Sequence, residues 1–375
     1  MRSYYAFSVR LRMGWLTLIS VPQNICMPQE SPMSMRPRSA VFALLLILAA
    51  CFLEWSMAAP QTARPGKAGN SNSPANELLP VRTDGRWGYI DRTGKLVIPP
   101  QYENADSFHD GLAAVSVGGK FGFIDKRGEM IIRPEYDDRA FWFSDGLANV
   151  RIGDKWGFVD KTGKMVIPAI YGEGGRFSEG LAAVVLGRKW GFIDRTGKPI
   201  IPLVYDLTLD FSDGRAATRI GGKYGFISRT GKMVIPVRYD AADWFREGLA
   251  SVKLGEKYGF INKTGKMVIP TQYDVAKEFS DGLAAVLIQG KWGFIKKTGK
   301  MVIPAQYDDA REFSEGLAAV EVGNEWGYID KTGKFVIQPQ YDFANRFHEG
   351  LAEVDVGSKS GYINKKGKYL WEPTM

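Results

Sequence analysis

The chain has 375 residues, 45% of them hydrophobic and 13% aromatic, enough to build a substantial core. Of its 49 basic and 41 acidic residues, seven and two lie in 1–67, which leaves 68–375 with 42 against 39, a nearly balanced surface that excludes a nucleic-acid footprint. Cys26 and Cys51 are the only cysteines and His109 and His348 the only histidines, so no disulfide framework, zinc site or cofactor is expected in the body of the chain.

Residues 1–58 read as a lead and an export signal, with Met33 and Met35 as alternative starts. Arg36 and Arg38 precede an apolar run from Val41 to Leu53, and the small residues Ser56 and Ala58 suit cleavage after Ala58. Leu48-Ala49-Ala50-Cys51 resembles a bacterial lipobox, under which Cys51 becomes a lipidated N-terminus. An uncleaved anchor is the third option, although the run is short for a span of about 20 residues. Each option expects an extracytoplasmic protein: periplasmic, cell-envelope or secreted. Membrane contact is expected only through this segment. Residues 59–77, rich in Pro, Gly, Ser and Asn, read as a flexible linker.

Residues 78–375 repeat. An aromatic-Gly pair places glycine at 88, 122, 157, 191, 225, 259, 293, 327 and 361, a spacing of 34 seven times and 35 once. Nine units follow, a period that means a solenoid, propeller or similar array. Each unit opens with an alternating segment, such as Ala318, Val320 and Val322 against Leu317, Ala319 and Glu321, which predicts a half-buried antiparallel strand. A Gly turn leads to a second strand, such as 156–160, and a third, such as 164–168, closed by Pro168. A connector of about ten residues with a recurrent Tyr and Phe then leads to the next unit. These aromatics are expected to pack one unit on another, since a three-stranded meander cannot bury its face alone.

Between the second and third strands stands Asp160-Lys161-Thr162-Gly163, the letters of a P-type ATPase phosphorylation motif. Sister copies place Ser228, Asn262, Lys296 or Asn364 where Asp160 stands, while the glycine never changes. A nucleophile cannot be replaced by lysine; a turn residue can. The segment is a hairpin turn with Gly at the φ > 0 position. Residues 157–164 miss a phosphate-binding loop by one residue of spacing and by Met165 in place of Ser or Thr. Acidic pairs such as Asp308 and Asp309 recur as turn residues, so no solitary carboxylate pair marks a glycosidase.

Trp87-Gly88, Trp156-Gly157, Trp190-Gly191, Trp292-Gly293 and Trp326-Gly327, with the Asp-Lys-Thr-Gly-Lys and Tyr-Asp that follow, resemble the bacterial WG-repeat (KWG-repeat) family over about four-fifths of the chain. Phe121, Tyr224, Tyr258 and Ser360 depart from the pattern, and Ser360 suggests that the last unit is a cap. The resemblance implies a β-rich repeat module, often exported, with no activity generally assigned.

The expected fold is therefore all-β: nine tandem three-stranded antiparallel meanders. Because the array starts and stops on whole units, with no strand left over to close a ring, an open curved superhelix is expected in preference to a closed, propeller-like ring. Function belongs where copies differ, and the connectors differ most. Phe141 and Trp142, at the one insertion, and Trp244 are the candidate partner-binding residues. The expected role is non-catalytic binding or scaffolding on a protein or cell-surface glycan, the alternative being an envelope polysaccharide hydrolase.

Overall fold

The computed structural model describes residues 77–137 and 142–374, apart from the side chains of 373 and 374. Every regular element among them is a strand. The strands form nine sheets, seven of four strands and two of three, each an antiparallel meander in chain order. Blade 5 is representative: Leu207–Thr208, Arg215–Ile220, Lys223–Ser228 and Met233–Tyr239. The expected three strands are all present. The connector adds a short fourth strand, because Ala241–Ala242 and its counterparts pair with the next unit's first strand.

Two local features follow from glycine. In the second strand Gly225 pairs with Thr218 on one side, while on the other the third strand bulges, with Tyr224↔Tyr239 and Phe226↔Ile235 enclosing two extra residues. A Cβ on Gly225 would meet Ile235 O at 2.6 Å, so the bulge lies directly on the glycine. The third strand also runs three residues past its proline, to Tyr239, instead of ending there. It is a sheet edge, where the missing proline N–H has no ladder partner to lose.

The first strand is buried on both faces, not one. Leu317, Ala318, Ala319 and Val320 are all buried, and exposure begins only at Glu321 and Val322. Blades stack face to face, so both sides of each sheet are covered. Eight apolar clusters occupy the eight boundaries between successive blades; one joins Phe294, Ile303 and Tyr307 of blade 7 to Phe313, Ala318 and Ile329 of blade 8. In each, a second-strand aromatic packs on a connector Phe with ring centroids 4.7–5.0 Å apart, as in Phe158–Phe177. The aromatics pack unit on unit, as their recurrence predicts.

The array closes. Tyr362 in blade 9 donates to Pro80 O in blade 1 at 2.9 Å, and Arg92 Nη1 in blade 1 donates to Glu349 Oε2 of the last connector at 2.6 Å. The turn glycine of each blade packs on the preceding blade's third strand: Gly163 on Ile132, Gly197 on Ile167, Gly333 on Ile303. Gly94 of blade 1 finds the same support on Leu370 of blade 9. The molecule is a nine-bladed β-propeller, and the expected open superhelix is wrong, as is the capping role for the last unit. The inference failed because it required a spare strand to seal the ring. Here the last blade meets the first through the Tyr362–Pro80 and Arg92–Glu349 hydrogen bonds and the close approach of Gly94 to Leu370, with no further strand.

Candidate functional site

The latches are built by the turn before each first strand. Its acid and glycine both have positive φ, as at Asp145 (52°) and Gly146 (79°), which makes a tight hairpin with the carboxylate free to reach out. That carboxylate accepts the N–H of the next blade's turn glycine: Asp145 from Gly180 at 2.9 Å, Asp281 from Gly316 at 2.7 Å, Glu315 from Gly350 at 2.8 Å. The next blade's Asp-Lys-Thr-Gly lysine comes to the same acid, with Lys331 donating to Asp281 O at 2.7 Å and Lys365 to Glu315 O at 3.0 Å.

At the seam between blades 9 and 1 this scheme changes. Arg92 stands in the lysine slot and holds Glu349. Glu77 stands where the other blades have the turn glycine, so two carboxyls meet instead of a carboxylate and an N–H. Desolvation, and then the hydrogen bond to Glu349, push the Glu77 carboxyl up to about 7. The same hydrogen bond, with Arg92 behind it, holds Glu349 below the usual range.

A pocket of about 430 Å³ opens beside this pair, lined by Glu77, His109, Asp110, Lys126, Trp142 and Glu349 among others. Trp142 is half-buried and stacks on His109, with ring centroids 4.8 Å apart and planes at 27°. The Arg176 guanidinium lies over its ring at 5.2 Å and pairs with Asp210 at 3.6 Å. Burial, followed by the charges of His348 and Arg176, holds His109 below the ordinary histidine range. His348 and His109 flank blade 1 and are within electrostatic reach of each other, so blades 9, 1, 2 and 3 all contribute to one site.

The structure thus brings Trp142 to a pocket and leaves Trp244 out of it. Trp244 occupies the same slot, before the connector Phe, three blades on; it is half-buried, and its backbone N–H donates to Asp243 Oδ1 at 2.9 Å. Phe141 and Cys51 lie outside the described residues. Sequence reasoning missed Glu77, assigned to the linker, and set His109 and His348 aside as too few for a zinc site. The available signal was their departure from the repeat, together with the fact that a ring makes the first and last units neighbours.

These features define a propeller with one distinctive seam and a pocket at it. The WG containing repeat profile matches residues 87–121, 121–156, 156–190, 190–224, 224–258, 258–292, 292–326 and 326–359, and the chain belongs to this family. No curated protein matches it. Among solved structures it is similar to a eukaryotic initiation factor, with a TM-score of 0.58 and 14% identity over 80% of this chain and 96% of that one. It is also similar to dihydro-heme d1 dehydrogenase NirN, with a TM-score of 0.43 and 13% identity over 70% and 72% of the chains. Apo AztD from Citrobacter koseri gives a TM-score of 0.41 and 10% identity over 80% and 93%. The initiation-factor likeness is one of fold alone.

Proposed function

We propose that the propeller is a non-catalytic binding or scaffold module that works outside the cytoplasm and contacts a protein or a cell-surface glycan at the seam pocket. The observation that carries this reading is convergence. Glu77, His109 and Trp142 depart from the repeat, come from three different blades and line one pocket, and His348 stands beside Glu77. Positions shared by all blades are committed to packing, which leaves the exceptions for a ligand. A half-buried Trp stacked on an imidazole and lying under a guanidinium gives the pocket an aromatic wall of the kind that anchors a sugar ring or an aromatic side chain. Hydrolysis is disfavoured: the Glu77 and Glu349 carboxyls hydrogen-bond each other, whereas glycosidase carboxyls stand at least about 5 Å apart to straddle the bond.

Trp142→Ala tests the reading on the partner recovered by pulldown from envelope extract or by glycan array. Binding should weaken by about 2 kcal/mol, the loss typical of a hot-spot aromatic, with the unfolding midpoint nearly unchanged. Loss of stability with binding intact would make Trp142 a packing residue and refute the site. Export is tested separately by mass spectrometry of the protein from its host. The mature chain should begin near Ala59 or at a lipidated Cys51; a soluble cytoplasmic protein retaining residues 1–50 would overturn it.

A further inference from the structure

The seam holds a constellation that nothing in the repeat requires. Glu77, His348 and Glu349 each offer one ligand atom, and these atoms all lie within 4.8 Å of one another. They come from both ends of the ring: Glu77 enters blade 1, and His348 and Glu349 enter blade 9. His348 Nε2 and Glu77 Oε1 are 3.9 Å apart. That is too long for a hydrogen bond. It is close to the span of two metal–ligand bonds of about 2.0–2.1 Å meeting at an open angle. Arg92 holds Glu349 Oε2 at 2.6 Å and Glu77 hydrogen-bonds the same carboxyl, so the two glutamate side chains already converge on one point. The pocket that Glu77 and Glu349 line supplies room for the remaining coordination positions.

We propose that Glu77, His348 and Glu349 form a site for a divalent first-row transition metal, with Zn²⁺ the best fit, that clasps the last blade to the first. One imidazole and two carboxylates suit a borderline cation of small coordination number. Three protein donors are too few for the six to eight oxygens of Ca²⁺, and imidazole is a poor ligand for Mg²⁺. Three protein ligands also leave a position open into the pocket, where a ligand carboxylate or hydroxyl can bind the metal. The site stands apart from the partner reading, because metal binding is measured with no partner present.

The test is calorimetric titration of Zn²⁺ into the untagged, chelator-treated full chain, with thermal unfolding in parallel. One Zn²⁺ should bind in the micromolar range and raise the midpoint, while Mg²⁺ and Ca²⁺ at the same concentrations do neither. The His348 side chain is 76% exposed, so His348→Ala should fold normally and lose Zn²⁺ affinity by more than about tenfold, the least that even outer-shell partners of a metal ligand cost. Glu77→Gln should do the same, and Glu312→Gln, a blade away, should change nothing. Replacement by Co²⁺ should give visible bands in the native chain that are absent in His348→Ala. No Zn²⁺ binding, or equal affinity in native and His348→Ala chains, overturns the proposal.

Discussion

Asp160 Oδ1 accepts three hydrogen bonds, from Thr162 N at 2.9 Å, Thr162 Oγ1 at 2.6 Å and Lys164 N at 3.1 Å, and these hold its carboxyl below the usual range. Asn262 Oδ1 accepts the equivalent three at 3.0, 2.7 and 3.0 Å. A carbonyl oxygen therefore does the whole job, and Asp160→Asn should leave the denaturation midpoint unchanged. Gly163 cannot be exchanged so freely. Its φ is +85°, and a Cβ there would stand 3.3 Å from Ile132 of the preceding blade. Gly163→Val should cost at least about 2 kcal/mol in urea unfolding, from backbone strain and a forced blade boundary together. A second residue-scale effect is tied to pH. Burial pushes the Glu278 carboxyl up to about 7, against the pull of Arg246 at 3.6 Å. In the unfolded chain the proton leaves in the ordinary glutamate range near 4.3. The fold thus keeps a proton that the unfolded chain has lost. The stability this group contributes is fully present below about 4.3 and disappears as pH rises to about 7. Glu278→Gln should flatten that part of the stability-pH curve; an unchanged slope would refute the assignment.

At the scale of the strand, the family's signature dipeptide divides into two jobs. The tryptophan position is half-buried in most blades and tolerates Phe121, Tyr224, Tyr258 and Ser360, which instead bonds Asp355 at 2.6 Å. The glycine tolerates nothing, because the bulged third strand rests on it. A Cβ on Gly157 would meet Ala169 N and Ile167 O, both at 2.7 Å, and neither backbone atom can swing aside. Gly157→Ala should lower stability by about 2 kcal/mol, in the range of overpacked cores, while Trp156→Phe should have a much smaller effect in the same denaturation series. The order of strands and turns was legible in the sequence. The short fourth strand was not. Two residues such as Ala241–Ala242 carry no periodicity, and they pair only because the neighbouring first strand is already in place.

For the whole molecule, closure changes what each unit contributes. In an open solenoid the end units each lose one neighbour, and removing one costs a single interface. In the ring, removing blade 9 exposes blade 8 and blade 1 together and destroys the Arg92–Glu349 and Tyr362–Pro80 fastenings. Truncation before Phe343 should therefore lower the unfolding midpoint sharply and promote association through the bared faces. Loss of only a terminal unit's share, with the remainder monomeric and unchanged, would contradict the ring.

The residues alone determined the all-β class, the nine units, the meander within each, the hairpin role of Asp-Lys-Thr-Gly and the use of the aromatics between units. All of these follow from local periodicity and from comparison of one copy with the next. Tertiary structure decided the rest. Whether nine units close depends on the small angle between neighbouring blades, summed around the array, and no single unit encodes that sum. Burial of the first strand on both faces follows from the face-to-face stacking of blades, which covers both sides of a sheet that has two neighbours. The seam follows from closure: Glu77 and His348 are 271 positions apart in the chain and become adjacent only when the last blade meets the first.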